Sequence, residues 1–398
     1  MNLKNLFSYF SKSASIRSTY NKNQTILNSA GKATWMKREY TEFAKEAYCK
    51  NVVAHRSISL IAKAASSITW QAENRLTNEN YDSHPIITLI NKPNSLTSGI
   101  EFFESLISYI LIAGNSFCVI TKNSQSKPIE LHLLRPDRVS IITDEKAYPV
   151  AYRHKIGSLQ EDYMIDNVTG KSDIIHFKNF HPLDDLYGLS PVEAAAYSID
   201  QHNMAASWNQ SLLQNGARPS GALIYKAESG NYPYLIEQQY ERLREQIEEN
   251  FSGHKNAGRP LILEGGLEWK EMSLSNKEME FLEAKNSAAR EIALAFGVPP
   301  QLLGIPGDNT YSNLQEARLA LWEETIFPLL DNITNQLNSF LAPYYNDNIR
   351  IIYNKDNISA LSARRESLWQ RIESCSFLTK NEKREIFGYS PLNGDNYN

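Results

Sequence analysis

Cysteine is scarce in this chain of 398 residues, and the few present do not cluster. Cys49, Cys118 and Cys375 lie far apart and form no C-x-x-C pair. That excludes a recognisable zinc knuckle or disulfide framework and leaves reduced thiols as the expectation. Long apolar runs are missing too. The opening MNLKNLFSYFSKS is too short and too polar for a secretory signal. The most apolar stretch, Phe102 to Ile120, is broken by Glu104, Ser105, Ser108, Asn115 and Ser116. A bilayer span needs about 20 mostly apolar residues, so this stretch reads as a buried helix followed by a strand, in a chain that is soluble when made. An excess of positive charge is also lacking: Lys plus Arg number 41 and Asp plus Glu 45, a net of 41 − 45 = −4. A protein that grips DNA through its phosphates concentrates positive charge. Any contact this chain makes with DNA is therefore expected to be weak or sliding.

Catalytic motifs are equally sparse. Gly170-Lys171-Ser172 is the nearest string to a phosphate-binding loop, but the leading glycine of G-x-x-x-x-G-K-S is replaced by Ile165. There is no G-x-S-x-G elbow and no G-x-G-x-x-G turn. His176 and His181 stand five positions apart without an H-E-x-x-H helix, and no third zinc ligand can be named. Asp184-Asp185 could hold a metal in a nuclease, yet adjacent side chains diverge and an Asp pair before Gly188 suits a turn. Glu248-Glu249 falls on the solvent face of a charged helix. No cofactor is implied, and a structural rather than enzymatic role is expected.

What is present is ordinary core-forming material, 42% hydrophobic and 22% charged. The fold class reads as α+β. Residues 1–38, rich in Ser, Asn and Lys, read as a flexible arm. Tyr40 to Ser66 favours a helix, and His84 to Ile90 a short one. Ser98 and Glu101 form an S-x-x-E capping box for a helix that Gly114 ends. From Phe117 to Phe177, six short alternating runs punctuated by Pro and Gly suggest an antiparallel sheet.

The second half is helical. Ser190, Pro191 and Glu193 start a long helix reaching Gln214, roughly 36 Å at 1.5 Å per residue. Gly221 to Tyr225 reads as a strand and Tyr234 to Phe251 as an amphipathic helix. Pro260–Leu263 and Leu267–Met272 are expected to pair as a hairpin around Gly265-Gly266. A second long helix covers about Lys277 to Phe296. Ser312 and Gln315 open another, which Pro328 should kink and Pro343 should end. A strand at Ile349–Tyr353 and two short helices follow, the second with a Thr379–Glu382 box. Two long helices thus bracket a compact αβ insertion.

Two strings resemble the phage portal family of long-tailed phages, prophages and gene transfer agents. One is YGLSPVEAAAYSIDQHNMAASWNQSLLQNGARPSGALIY, Tyr187 to Tyr225; the other is FLEAKNSAAREIALAFGVPPQLLGIPGDNTYSNLQEA, Phe281 to Ala317. HPIITLINKPN, Asn115, LHLLRPDRV and LTKNEKREIFGYSPLNGDN add weaker support in the same order. The last has only Gly394 where relatives often carry a second glycine before the Asp.

The resemblance implies a portal-type subunit: a wing at 39–186, a first stem helix at 187–216 and a small αβ clip at 217–275. A second stem helix at 276–302, a tunnel loop at 303–313, a kinked helix and wing strand at 314–358 and a short helical crown at 359–398 complete it. It further implies a ring of identical subunits, a dodecamer, at one capsid vertex, assembled in the bacterial cytoplasm and carried into the virion. Double-stranded DNA would pass non-specifically through its channel, with terminase large subunit, head-tail adaptor, capsid and scaffold proteins as partners and no membrane. Asp308, Asn309, Thr310 and Tyr311 would face the DNA, and Lys255 and Arg259 would dock an acidic partner. The competing expectations are another head-tail connector protein, or a metal-dependent nuclease using His181, Asp184 and Asp185.

Overall fold

The computed structural model describes residues 36–81, 83–214, 221–225, 267–271, 281–305, 311–345, 348–355 and 357–386, with isolated helical positions at 238, 241, 242 and 245. The arm, the 306–310 part of the loop and most of the region between 226 and 266 lie outside them.

The expected helix from Tyr40 to Ser66 is two pieces. A turn at Tyr40–Glu42 continues as a π-helical segment, Phe43–Cys49. Asn51 then adopts an extended conformation, and its side-chain oxygen accepts from Val53 N and Ala54 N to open α1, Val52–Ser66. An Asn N-cap of this kind stabilises a helix by about 1 kcal/mol. Strand β1, Thr69–Asn74, follows. His84 caps α2, Pro85–Asn91. Ser98 Oγ accepts from Glu101 N at 3.3 Å to start α3, Gly99–Ala113, which Gly114 ends in the left-handed conformation at φ 72°.

The six expected strands form two three-stranded antiparallel sheets instead of one. In the first, β2 (Asn115–Lys122) lies between β3 (Pro128–Leu134) and β7 (Ile174–Lys178). In the second, β5 (Pro149–Ile156) lies between β4 (Val139–Thr143) and β6 (Leu159–Met164). The split is physical. Arg135-Pro136 opens a 3-10 turn at Pro136–Arg138 that redirects the chain between β3 and β4.

A turn at Pro191–Ala194 leads into α4, Ala196–Gln214. Strands β8 (Gly221–Tyr225) and β9 (Leu267–Glu271) pair antiparallel. The Leu267 strand therefore pairs with the Gly221 strand, while Pro260–Leu263 lies outside the described residues. Helix α5 spans Phe281–Ala295. Helix α6, Tyr311–Ala320, passes through a π-helical stretch, Leu321–Ile326, into α7, Phe327–Phe340. The irregularity expected at Pro328 is thus absorbed one turn earlier: Pro328 offers no N–H to the preceding turn, and the wider turns accommodate that loss. Strand β10 (Ile349–Asn354) and helices α8 (Ser362–Ser374) and α9 (Lys380–Ile386) close the chain.

Strand β10 pairs antiparallel with β1, Thr69 opposite Asn354 and Asn74 opposite Ile349. Across this pair Arg350 donates to Glu73, which is buried. The main core is built against it. Trp70 packs on Phe103 of α3 at 4.8 Å between ring centroids, and the Tyr353 hydroxyl donates to Asp331 of α7 at 2.8 Å. Ile58 and Ile61 of α1, Leu106 and Ile107 of α3, and Leu330 of α7 are completely buried in the same cluster. Each such side chain contributes on the order of 2 kcal/mol.

Candidate nucleic-acid interface

Helices α4 and α5 leave the body together. Ser198, near the start of α4, donates to Glu291, near the end of α5, at 2.6 Å, so the beginning of one helix lies against the end of the other. Ile199 and His202 are buried, but no residue from Asn203 to Ser211 is. On α5 the order is reversed: Leu282 to Ser287 are not buried, whereas Ala288, Ala289, Ile292 and Ala293 are. About half of each rod is core and half projects. Tyr197, Met204, Trp208 and Leu282 are between 46% and 73% exposed.

Three joints hold these rods to the body. The first gathers strings far apart in sequence. Asn115 Oδ1 accepts from Gly188 N at 2.8 Å and from His176 Nε2 at 2.9 Å, while its Nδ2 donates to Ala113 O and Gly188 O. Those backbone partners fix the amide's orientation, so His176 carries its proton on Nε2. Burial holds its imidazole down to a pKa of about 3, with the Lys178 charge adding to the effect. Gly114 and Gly188 meet backbone to backbone: a Cβ on Gly188 would lie 2.3 Å from Gly114 O, and one on Gly114 would lie 2.2 Å from Gly188 O. Only glycine fits either position. Ser190 completes the joint, its hydroxyl donating to the end of α3 (Leu111 O, Ile112 O) and accepting from Val192 N.

The second joint sits nearly two turns up α4. Asn51 Oδ1 is taken by the cap of α1, so its Nδ2 donates to His202 Nδ1 at 3.2 Å and to Asn203 Oδ1 at 3.0 Å. His202 therefore accepts on Nδ1, in its neutral form. Burial lowers its pKa, and Lys285 of α5 lowers it further. Asn203 in turn donates to Glu46 O.

The third joint ends α5. Gly297, at φ 64°, makes the turn, and Thr325 Oγ1 donates to its carbonyl at 2.6 Å, tying the helix to the π-helical stretch before α7. Val298 and Ile305 are buried. The chain then runs towards the loop expected to face DNA.

The expected site residues fall mostly beyond the described positions. Asp308, Asn309 and Thr310 lie outside them, as do Lys255 and Arg259. Tyr311 opens α6, with its side chain outside the description.

The nuclease expectation meets a different geometry. Asp184 Oδ1 accepts from Leu186 N and Tyr187 N, which hold its carboxyl below the usual range. His181 Nδ1 accepts from Leu183 N. Both side chains shape the loop before Gly188, and among the described residues no group of three His, Cys, Asp or Glu is placed to hold a metal. Gly170-Lys171-Ser172 forms a turn between β6 and β7, with Gly170 N donating to Asp166 O, so no helix follows it to receive a phosphate. None of the described helices is long and apolar enough to cross a membrane.

Sequence reasoning misses the three joints as joints. Gly114-Asn115, the GLSP string and the GVPP string stand out along the chain, but no local pattern says that they touch.

Comparison with known proteins bears on most of the chain. The family model described as phage portal protein matches residues 52–388. A protein of Rickettsia felis is 50% identical over 88% of this chain and 90% of its own length. The portal protein of Enterobacteria phage HK97 is 25% identical over 85% of this chain and 78% of its own. Among solved structures, the neck of a native gene transfer agent particle, computed with C12 symmetry, superposes with a TM-score of 0.69 at 39% identity. That match covers 92% of this chain and 99% of the other.

Proposed function

The chain belongs to the phage portal protein family, and on that premise we propose how its parts divide the work of a ring at one capsid vertex. The ring forms the channel for DNA entering and leaving the particle, and it is the docking platform for the packaging motor and head-tail adaptors. Residues 39–186 form the wing. Residues 187–216 and 276–302, containing α4 and α5, are the stem. Residues 217–275, with β8 and β9, are the clip at its far end, and 303–313 are the tunnel loop. The kinked helix and strand at 314–358 return to the wing, and 359–398 form the crown. Twelve subunits agree with the C12 symmetry of the related neck.

The observation that carries this reading is the paired projection of α4 and α5. Helices with a buried root and an exposed outer half need neighbours, and a closed ring of identical subunits supplies them. The subunit works passively: it guides DNA, and a separate terminase supplies the ATP hydrolysis. Asp308, Asn309, Thr310 and Tyr311 make short-lived contacts with the duplex, since a loop that lets DNA slide avoids strong phosphate clamps. Lys255 and Arg259 meet an acidic partner. Assembly takes place in the host cytoplasm, before incorporation into the virion.

Electron microscopy of the purified chain, viewed down the particle axis, tests the reading. Closed rings with a passage wide enough for duplex DNA are expected. Monomers at every concentration, even with scaffold co-expressed, would sink it.

A further inference from the structure

Helix α3 runs through the core, with Phe103, Leu106, Ile107 and Ile110 buried along its length. Both of its ends nevertheless reach the surface, and each carries a pair of exposed apolar side chains. At its start stand Leu96, 87% exposed, and Ile100, 61% exposed. At its finish, Asn179 N donates to Gly114 O at 3.0 Å, and Gly188 returns to the same glycine. The loop 180–187 therefore leaves and rejoins the body at the end of α3. It carries Phe180, 84% exposed, and Leu183, 91% exposed. At 1.5 Å per residue, the 15 residues of α3 separate the two ends by about 22 Å. Neither pair is a loose end. Asn94, itself buried, accepts from Leu96 N and Thr97 N and donates to Leu131 O of β3, which fixes the turn that presents Leu96. The other loop is held by Asp184, by His181 and by Lys178 Nζ, which donates to Asp185 O at 2.5 Å. Single exposed apolar side chains are ordinary on a protein surface. Pairs already fixed by hydrogen-bonded turns are different, because little ordering entropy remains to be lost when they bind.

We propose that the two patches are the two halves of one contact between neighbouring subunits: Leu96 and Ile100 of one copy pack on Phe180 and Leu183 of the next. The inference rests on the ring reading and names the surface that the ring uses. A cyclic ring of identical subunits is built from a heterologous contact, in which each copy shows one patch to the neighbour ahead and a different patch to the neighbour behind. That demands two apolar surfaces that face apart, and the two ends of a rigid buried helix meet the demand. A two-fold pair would need one self-complementary patch instead. The occupant is a second copy of this chain, because the related neck, 39% identical over 92% of it, has C12 symmetry. The contact also sits beside the stem. Asn115 and Ser190 tie the end of α3 to the turn before α4, so neighbours meeting at Phe180 and Leu183 meet at the root of the projecting rods.

The test uses the full-length protein in three forms, Leu96→Cys, Leu183→Cys and the two together, each treated with a short bismaleimide and run on a denaturing gel. The unmodified protein sets the background from its own thiols. The double variant is expected to give a ladder of covalent multimers well beyond dimers, and each single variant no more than the background. A double variant no better linked than the single ones would overturn the contact. Dimers from either single variant alone would overturn it too, since a patch would then be meeting its own copy. A companion variant, Phe180→Glu with Leu183→Glu, should keep the circular dichroism of the unmodified protein, because both side chains are exposed, and lose its rings in electron microscopy. Undiminished rings would overturn the contact and leave this patch for another protein. Microscopy of the unmodified protein separates the two readings. Rings without a ladder sink the contact alone, a ladder without rings sinks the portal reading alone, and the absence of both sinks the two together.

Discussion

Every hydrogen-bonding position of the Asn115 side chain is occupied: two partners on its oxygen and two on its nitrogen, drawn from the end of α3, from β7 and from the turn before α4. Replacing it by Leu would leave Gly188 N and His176 Nε2 without partners in a buried site, at a cost of roughly 1–3 kcal/mol each. The same joint predicts a pH response. His176 is held neutral, with a pKa of about 3 against 6.5 when unfolded. Between those values the unfolded chain binds the extra proton, so this residue's share of stability is complete above about pH 6.5 and is lost as pH falls towards 3, by about 1.4 kcal/mol per unit. His176→Gln removes that dependence. The stability gap between the natural protein and this variant, measured by urea unfolding, should therefore shrink between pH 7 and pH 4. A gap that stays constant would show that the imidazole is not held neutral. At this scale the sequence is half legible. Gly114, Asn115 and Gly188 can be singled out, but the separation of 73 positions between Asn115 and Gly188 hides the fact that one exists for the other.

Elements with their signals close at hand are legible in the sequence. The Ser98 box starts α3, and the Thr379 box closes in both directions, Glu382 N to Thr379 Oγ1 at 3.2 Å and Thr379 N to Glu382 Oε2 at 2.8 Å. Elements defined by distant partners are not. Strand β1, TWQAEN, has little alternation of its own and exists because β10 lies beside it. The break before α1 is signalled by Asn51, a good cap, but the apolar spacing on either side reads through it. That break matters for α4, because the capping side chain also clamps His202 and Asn203. Asn51→Ala should lower stability by about 2–3 kcal/mol, the cap and the orphaned partner together. Amide exchange should rise selectively from Ala196 to Asn203. Unchanged exchange there would mean that the rod's root is held by packing alone.

For the molecule as a whole, family membership is legible because its strings recur in order along most of the chain, whereas the channel-facing residues rest on position in that pattern. Tyr311 offers the sharpest check. Tyr311→Ala should leave ring assembly intact, seen as normal rings in class averages, and reduce the DNA packaged per particle. Failure to form rings would instead make Tyr311 a packing residue between subunits. The mixed helix and sheet body is shared with the related neck protein. Most of the body's buried residues lie outside α4 and α5, the two helices that the proposal assigns to the stem.

The pairing of β1 with β10 also sets a timetable. From Asn74 to Ile349 is 349 − 74 = 275 residues, and a ribosome adds roughly 5–20 residues per second. A growing chain therefore carries β1 without its partner for about 14 to 55 s. Throughout that interval Trp70 and Ala72, both buried in the finished subunit, have no strand to pair with. A polypeptide that stops before β10 cannot pair β1 or close the core around it, and such a truncated product is left for chaperones and proteases.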